Sequence, residues 1–300
     1  MQEKEINLIE LFEIIKINKK IILSITLLVA FLSAILSLLQ NNVYTSEAII
    51  TLSEETIGSN VLTNNSNESL GFISIGKKDP RLEQGIIVLS SWKFVESFVD
   101  SEELGPYIIA MEGWNPETNE IIFDEDIYNS EENKWLIEDE DGNYISPSSW
   151  DYYKAFLKHI SFYHDKEDNM LRISVTSVSP EFSRDMVSKS VAYLNSHMKE
   201  KRLSQINTNI TYLEQEISKT SVTSIKANIF RIIEEQVREK MLTEASKEYI
   251  FTTVSPAMVA QEKSGPSRLY TVVLFTLFSL IISSLYFISL HYLRGTKEFN

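Results

Sequence analysis

Ile21–Leu39, IILSITLLVAFLSAILSLL, runs 19 residues without a charge. As an α-helix rising about 1.5 Å per residue it covers about 28 Å, close to the thickness of a bilayer's hydrocarbon core. Leu269–Leu293, LYTVVLFTLFSLIISSLYFISLHYL, repeats the pattern over 25 residues, with tyrosines and His291 as its only ionisable groups. A cleaved leader has a short basic start and a small-residue cleavage site. Here the 20 residues before the span carry four acids against four lysines, and no A-x-A-like site follows Leu39. Both segments read as transmembrane helices.

The flanking charges orient them. Lys16, Lys19 and Lys20 precede the first span, whereas residues 40–76 contain no Lys or Arg. The positive-inside rule then places residues 1–20 in the cytoplasm and returns 294–300, with Arg294 and Lys297, to the same side. Residues 40–268 form one periplasmic segment. On this reading neither cytoplasmic end can hold an ATP-driven or signalling domain, so the protein acts outside.

Composition narrows the classes further. With 28 Lys+Arg against 42 Asp+Glu the net charge is −14, which argues against nucleic acid, whose affinity comes from neutralised phosphates. The absence of cysteine removes disulfides, thiolate zinc sites and cysteine nucleophiles together. A 43% hydrophobic content is too apolar for a disordered chain. The acidity is concentrated: residues 96–141 hold 16 acids against Lys134 alone. Trp114, Ile121, Ile122, Phe123 and Trp135 lie among them, so a folded acidic surface is expected.

Within the external segment, Val43–Leu52 reads as a strand and 53–78 as a polar loop. From Pro80, apolar residues at helical spacing predict two short helices split near Ser90–Ser91. Leu171, Ile173 and Val175 alternate as in a half-buried strand. Ser179-Pro180-Glu181 supplies an N-cap, a first-turn proline and an early acid, opening a helix that runs to about Lys219. Its apolar series breaks at the charged Lys199–Arg202 and resumes as Leu203, Ile206, Ile210, Leu213 and Ile217. Such a seam requires a helical neighbour. After a turn at Thr220–Ser224, Ile225, Ile229, Ile232, Ile233, Val237 and Met241 predict a returning helix, and Tyr249–Val254 a closing strand. The expected fold is α+β: two transmembrane helices flanking a periplasmic domain with a small mixed sheet and a projecting helical hairpin over about 180–247.

No reaction centre emerges. Gly71–Lys78 (GFISIGKK) approaches a phosphate loop, but Lys78 stands where a Ser or Thr would hold magnesium. His159, His164, Asp165 and Asp168 match no metal-ligand spacing. Asp124 with Asp126, and Glu138–Asp141, are runs of acids rather than two carboxylates held across a cleft. Asp139-x-Asp141-Gly142-Asn143 places its glycine wrongly for an EF-hand loop. No catalytic residue, cofactor or metal is assigned.

The parts, taken in order, resemble the chain-length determinants of bacterial surface polysaccharides, the Wzz-type polysaccharide co-polymerases. Glu5–Leu11 (EINLIEL) with Lys19-Lys20, Val43–Ala48 (VYTSEA), Ser179-Pro180, Thr220-Ser221, Ile233–Gln236 (IEEQ) with Met241-Leu242, and Pro256, Ala257, Pro266 and Arg268 before the second span carry the likeness. The second span, unlike that of many relatives, has no glycine to bring the helices close. The resemblance implies a non-enzymatic inner-membrane scaffold of the form without a fused tyrosine kinase. Such a scaffold forms a ring-like homo-oligomer and sets the length of O-antigen or a related glycan. Its implied partners are further copies of itself, the membrane polysaccharide polymerase, the bilayer and the growing lipid-linked glycan. Glu138, Asp139, Glu140 and Asp141 are an expected acidic regulatory patch. The competing readings are an export adaptor working with a separate kinase and a two-span ligand-binding sensor.

Overall fold

The computed structural model describes residues 8–53 and 80–295. Most of the polar 53–78 segment, with Gly71–Lys78, lies outside the described residues. The chain divides into two compact units, one built from residues 1–43 and 263–300, the other from 44–262.

In the first unit, helix α1 (Leu8–Leu39) packs along helix α8 (Arg268–Gly295). Phe12–Leu39 and Arg268–His291 are long and apolar enough to cross a membrane. Side chains such as Leu23, Leu27, Phe31, Phe278 and Ile282 are exposed, while Thr26, Ser33, Ser37 and Ser283 are buried. That inversion is what a lipid environment favours, since hydrocarbon solvates leucine while small polar residues let helix backbones approach. The missing glycine is thereby replaced. Three of the hydroxyls are satisfied within the helices, Ser33 Oγ donating to Ala30 O (2.9 Å), Ser283 Oγ to Leu280 O (3.2 Å) and Thr26 Oγ1 to Ile22 O, whereas Ser37 Oγ has no hydrogen-bond partner among the described residues.

The second unit is built on a four-stranded sheet in the order β10-β1-β9-β8. Its strands are β1 (Tyr44–Leu52), β8 (Ile160–Asp165), β9 (Met170–Ser177) and β10 (Phe251–Ser255). The sheet expected to be mixed is antiparallel at every pairing. Geometry dictates this: β8 and β9 are joined by a short hairpin, and β1 and β10 are the outgoing and returning ends of one excursion of the chain. Period-two alternation buries Ala48, Ile50 and Leu52 of β1 and Leu171, Ile173 and Val175 of β9. Helices α2 (Pro80–Leu89), α3 (Trp92–Ser101), α4 (Gly105–Ile109) and α5 (Ser149–His159) add Leu82, Leu89, Phe94, Phe98, Ile108 and Phe156 to the same core. The split near Ser90–Ser91 is as the spacing predicts.

Between α4 and α5 the acidic region folds as three two-stranded ribbons. These are β2 (Met111–Trp114) with β3 (Ile121–Phe123), β4 (Tyr128–Asn129) with β5 (Lys134–Trp135), and β6 (Ile137–Glu138) with β7 (Tyr144–Ile145). Helix α6 (Pro180–Lys219) is 40 residues long and α7 (Thr223–Ala245) returns along its distal half. Met186, Val187, Val191 and Leu194 of α6 pack on the sheet. The charged stretch at Lys199–Arg202 does not interrupt it. Arg202 Nε donates to Glu239 on α7 (2.8 Å), and Lys199 Nζ to the carbonyls of Glu244 (2.9 Å) and Ser246 (2.8 Å). The latter contact satisfies acceptors left open by the end of α7 and places a cation at its negative pole.

Candidate functional site

The residues expected in the hairpin seam are buried to different degrees. Ile206 is fully buried, and Leu203, Ile210, Leu213, Ile217, Ile229 and Ile233 are half-buried. Ile225 departs from the expectation. It sits in the first turn of α7, where the partner helix has ended, and is 46% exposed. Val237 and Met241, also expected on the inward face, lie on an outer flank of α7. With Phe230, at spacings of seven and four, they form an apolar strip 58%, 40% and 65% exposed at Phe230, Val237 and Met241.

The motif positions before the second span divide between the units. Pro256 and Ala257 follow β10, with Ala257 packed against the core. Ser46 Oγ fixes the next residue by donating to Met258 O (2.8 Å). Pro266 precedes α8, and Arg268 opens it. Arg268 Nη2 donates to Gln40 O (3.3 Å) and Asn42 Oδ1 (3.2 Å), tying the end of α1 to the start of α8.

Two buried polar clusters escaped the sequence reading because serine and asparagine carry no periodic signal. Ser183 Oγ donates to Tyr44 O (3.0 Å) and lies 2.8 Å from Ser177 Oγ, joining the start of α6 to β1 and β9. Asn195 accepts from the backbone N–H of Ile250 (3.3 Å) and Phe251 (3.0 Å) and donates to Phe251 O (2.8 Å). It caps the outer edge of β10, a strand that would otherwise leave buried backbone groups unpaired.

Glu138 ends β6, and Asp139, Glu140 and Asp141 lie on the turn that leads to β7. Asp139 is occupied within that turn: its Oδ1 accepts from the N–H of Asp141 (3.0 Å) and Asn143 (2.8 Å). The Asn143 contacts, backbone first, hold its carboxyl below the usual carboxylate range. Its charge serves the turn, leaving Glu138, Glu140 and Asp141 to solvent. His159 faces two backbone carbonyls, Thr176 O (3.0 Å) from Nδ1 and Ile108 O (3.2 Å) from Nε2. His164, on β8, has a nearly buried side chain 3.9 Å from Glu83. Asp165 accepts from the N–H of Glu167 (3.1 Å) in the β8–β9 turn. Among the described residues no group of three or more such side chains is placed to hold a metal.

A cleft of about 950 Å³ lies elsewhere, between the end of α3, α4, the β2–β3 ribbon and the start of α6. Six rings run in unbroken succession beside it: Phe182, Tyr107, Phe123, Tyr128, Trp135 and Tyr152, with centroids 5.0–6.3 Å apart. Asp100, Glu102, Glu103, Glu181 and Asp185 line it; Lys189, the one lining cation among the described residues, pairs with Glu102 at 2.8 Å, Arg184 beside the cleft pairs with Asp185, and Asn119 donates to Glu181. Burial, then the neighbouring Tyr107 hydroxyl and Glu103, raises the Tyr128 pKa; burial, then Asp100, raises that of Tyr152. Tyr128 Oη donates to Asn133 Oδ1 (3.1 Å), and both phenols stay protonated at neutral pH. The sequence showed the acids and aromatics of this region but not that helix α6 closes a cleft over them.

No curated protein matches the chain. Among the solved structures similar to it are two polysaccharide co-polymerases. A full-length bacterial polysaccharide co-polymerase is 15% identical, with 96% of this chain and 99% of that one covered and a TM-score of 0.36. A fragment of WzzB, the polysaccharide co-polymerase from Salmonella Typhimurium, is 11% identical, covering 75% and 100%, with a TM-score of 0.33. Residues 4–101, which span α1, β1 and the paired short helices α2 and α3, match the Wzz chain length determinant protein family.

Proposed function

We propose that the protein is a non-enzymatic scaffold of the bacterial inner membrane that sets the chain length of a surface polysaccharide, O-antigen or a related glycan. The match of residues 4–101 to the chain length determinant family carries this reading. Both termini are cytoplasmic and the 44–262 unit is periplasmic, in keeping with the lysines before Ile21 and their absence from 40–76. The scaffold works as a homo-oligomer beside a membrane polymerase. The Phe230, Val237 and Met241 strip supports self-association through the hairpin, because a soluble domain gains by covering such a face with another copy. The exposed acids at Glu138, Glu140 and Asp141 position subunits or repel anionic glycan.

The test is the banding of surface polysaccharide on a gel, with and without the gene. Loss of modal length with secretion intact supports chain-length control. Lost secretion instead favours an export adaptor working with a separate kinase, and an unchanged ladder favours a sensor. The mass of the particle extracted in mild detergent tests the assembly, and a monomer would refute it.

A further inference from the structure

The end of α3 is built against local stability. Leu104 N–H bonds to Val99 O (2.9 Å) and Glu103 N–H to Asp100 O (3.4 Å), the paired bonds of a Schellman cap. The residue that must turn left-handed there is Glu103, at φ 51°, where glycine is the unstrained choice. Asp100, Glu102 and Glu103 also crowd three carboxylates at a helix C-terminus, the end whose dipole favours cations. Lys189 answers Glu102 alone. Asp100 and Glu103 are exposed on the cleft with no cationic partner among the described residues. Backbone strain and like charge thus coincide at one rim of the aromatic-walled cleft.

We propose that this cleft binds a glycan segment that is neutral or bears amino groups, and discriminates against acidic glycans. The inference rests on the chain-length reading and assigns it a recognition site. Each part has a chemical counterpart in a sugar. The C–H face of a pyranose packs on a ring such as Tyr107. Adjacent hydroxyls donate to the two oxygens of one carboxylate, the Tyr152 phenol donates to a sugar oxygen, and the Tyr128 oxygen, whose proton goes to Asn133, accepts from a sugar hydroxyl. A volume at the upper end of the range for ligand clefts suits several linked rings. The carboxylate excess repels uronate and favours ammonium. Glu103 is the residue whose side chain compensates for the cost of its conformation.

The test uses the full chain in lipid nanodiscs, titrated by saturation-transfer NMR with three probes: maltotetraose, a glucosamine tetramer and a galacturonate tetramer. The first two bind with Kd on the order of 1 mM, and the galacturonate probe at least about tenfold more weakly. Tyr107→Ala weakens both binders about tenfold, the contribution of one stacked ring. Glu103→Gly weakens the glucosamine probe while raising the melting temperature, a pairing that a purely structural Glu103 would not produce. Equal binding of all three probes, binding of none, or unaltered binding by both variants overturns the proposal. So does preferential binding of tetralysine over both sugars. A chain that shifts the polysaccharide ladder yet binds no probe overturns the cleft and leaves the chain-length reading standing. One that binds in the cleft without shifting the ladder overturns that reading and leaves the cleft.

Discussion

Replacing Asn195 by alanine should unfasten β10 from the long helix. The amide makes three hydrogen bonds to the outer edge of that strand, to Ile250 N, Phe251 N and Phe251 O, and both residues are buried. Alanine cannot replace any of them. A net bond contributes about 1 kcal/mol, and an orphaned buried group costs about 1–3 kcal/mol. Because the two N–H groups share one acceptor, the sum is about 3 kcal/mol. For a unit of this size, 1 kcal/mol moves the melting temperature by about 2–4 °C, so Asn195→Ala should lower it by about 6–12 °C. Asn195→Leu, which keeps the volume and loses the same bonds, should fall alongside it and so separate hydrogen bonding from packing. Differential scanning calorimetry of the full chain in detergent reads both variants. A shift below about 2 °C for Asn195→Ala would show that water replaces the amide, and the edge-capping argument would be wrong.

Three other outcomes follow from local geometry. Gly85→Ala, worth about 1 kcal/mol of stabilisation in an exposed helix, should instead destabilise, because the new Cβ would lie 2.7 Å from Phe251 Cζ; thermal unfolding gives the sign. His197 stacks near Tyr193 and meets Phe94 edge-on, and burial, followed by the charges of Lys201 and Lys93, lowers its pKa from 6.5. The folded state therefore holds fewer protons than the unfolded one in acid. Its stabilisation is complete above about pH 6.5 and declines as the pH falls from there toward the lowered value. His197→Gln should flatten that part of the stability profile, and an identical slope would refute the assignment. Ser283→Leu should separate α8 from α1, because Ser283 is buried between helices that approach through small side chains; cysteine cross-linking from the neighbouring turns would fall, and unchanged cross-linking would contradict the packing.

The division between sequence and tertiary structure is visible residue by residue. The two spans, the strand beginning near Val43, the paired helices after Pro80 and the ends of α6 follow from information carried within a few residues. These are apolar length, period-two or helical spacing, and the cap at Ser179. Chain connectivity likewise set the hairpin. What spacing along one helix could not decide was which apolar residues its neighbour covers. Ile229 and Ile233 face α6, while Val237 and Met241, drawn from the same series, do not. That choice depends on the crossing of two helices, a relation between distant segments.

The same holds for the polar residues. Asn195 and Ser183 matter through partners 56 and 139 positions away, and no local pattern marks them. Glu138–Asp141 look alike in sequence, yet the fold of one turn commits Asp139 and leaves the others to solvent. The acids at 100–103 read as one more piece of a charged stretch until α6 brings Phe182 and Lys189 against them. Burial of apolar surface is a property of each residue and so is written along the chain, whereas hydrogen-bond partners and clefts depend on where the chain meets itself.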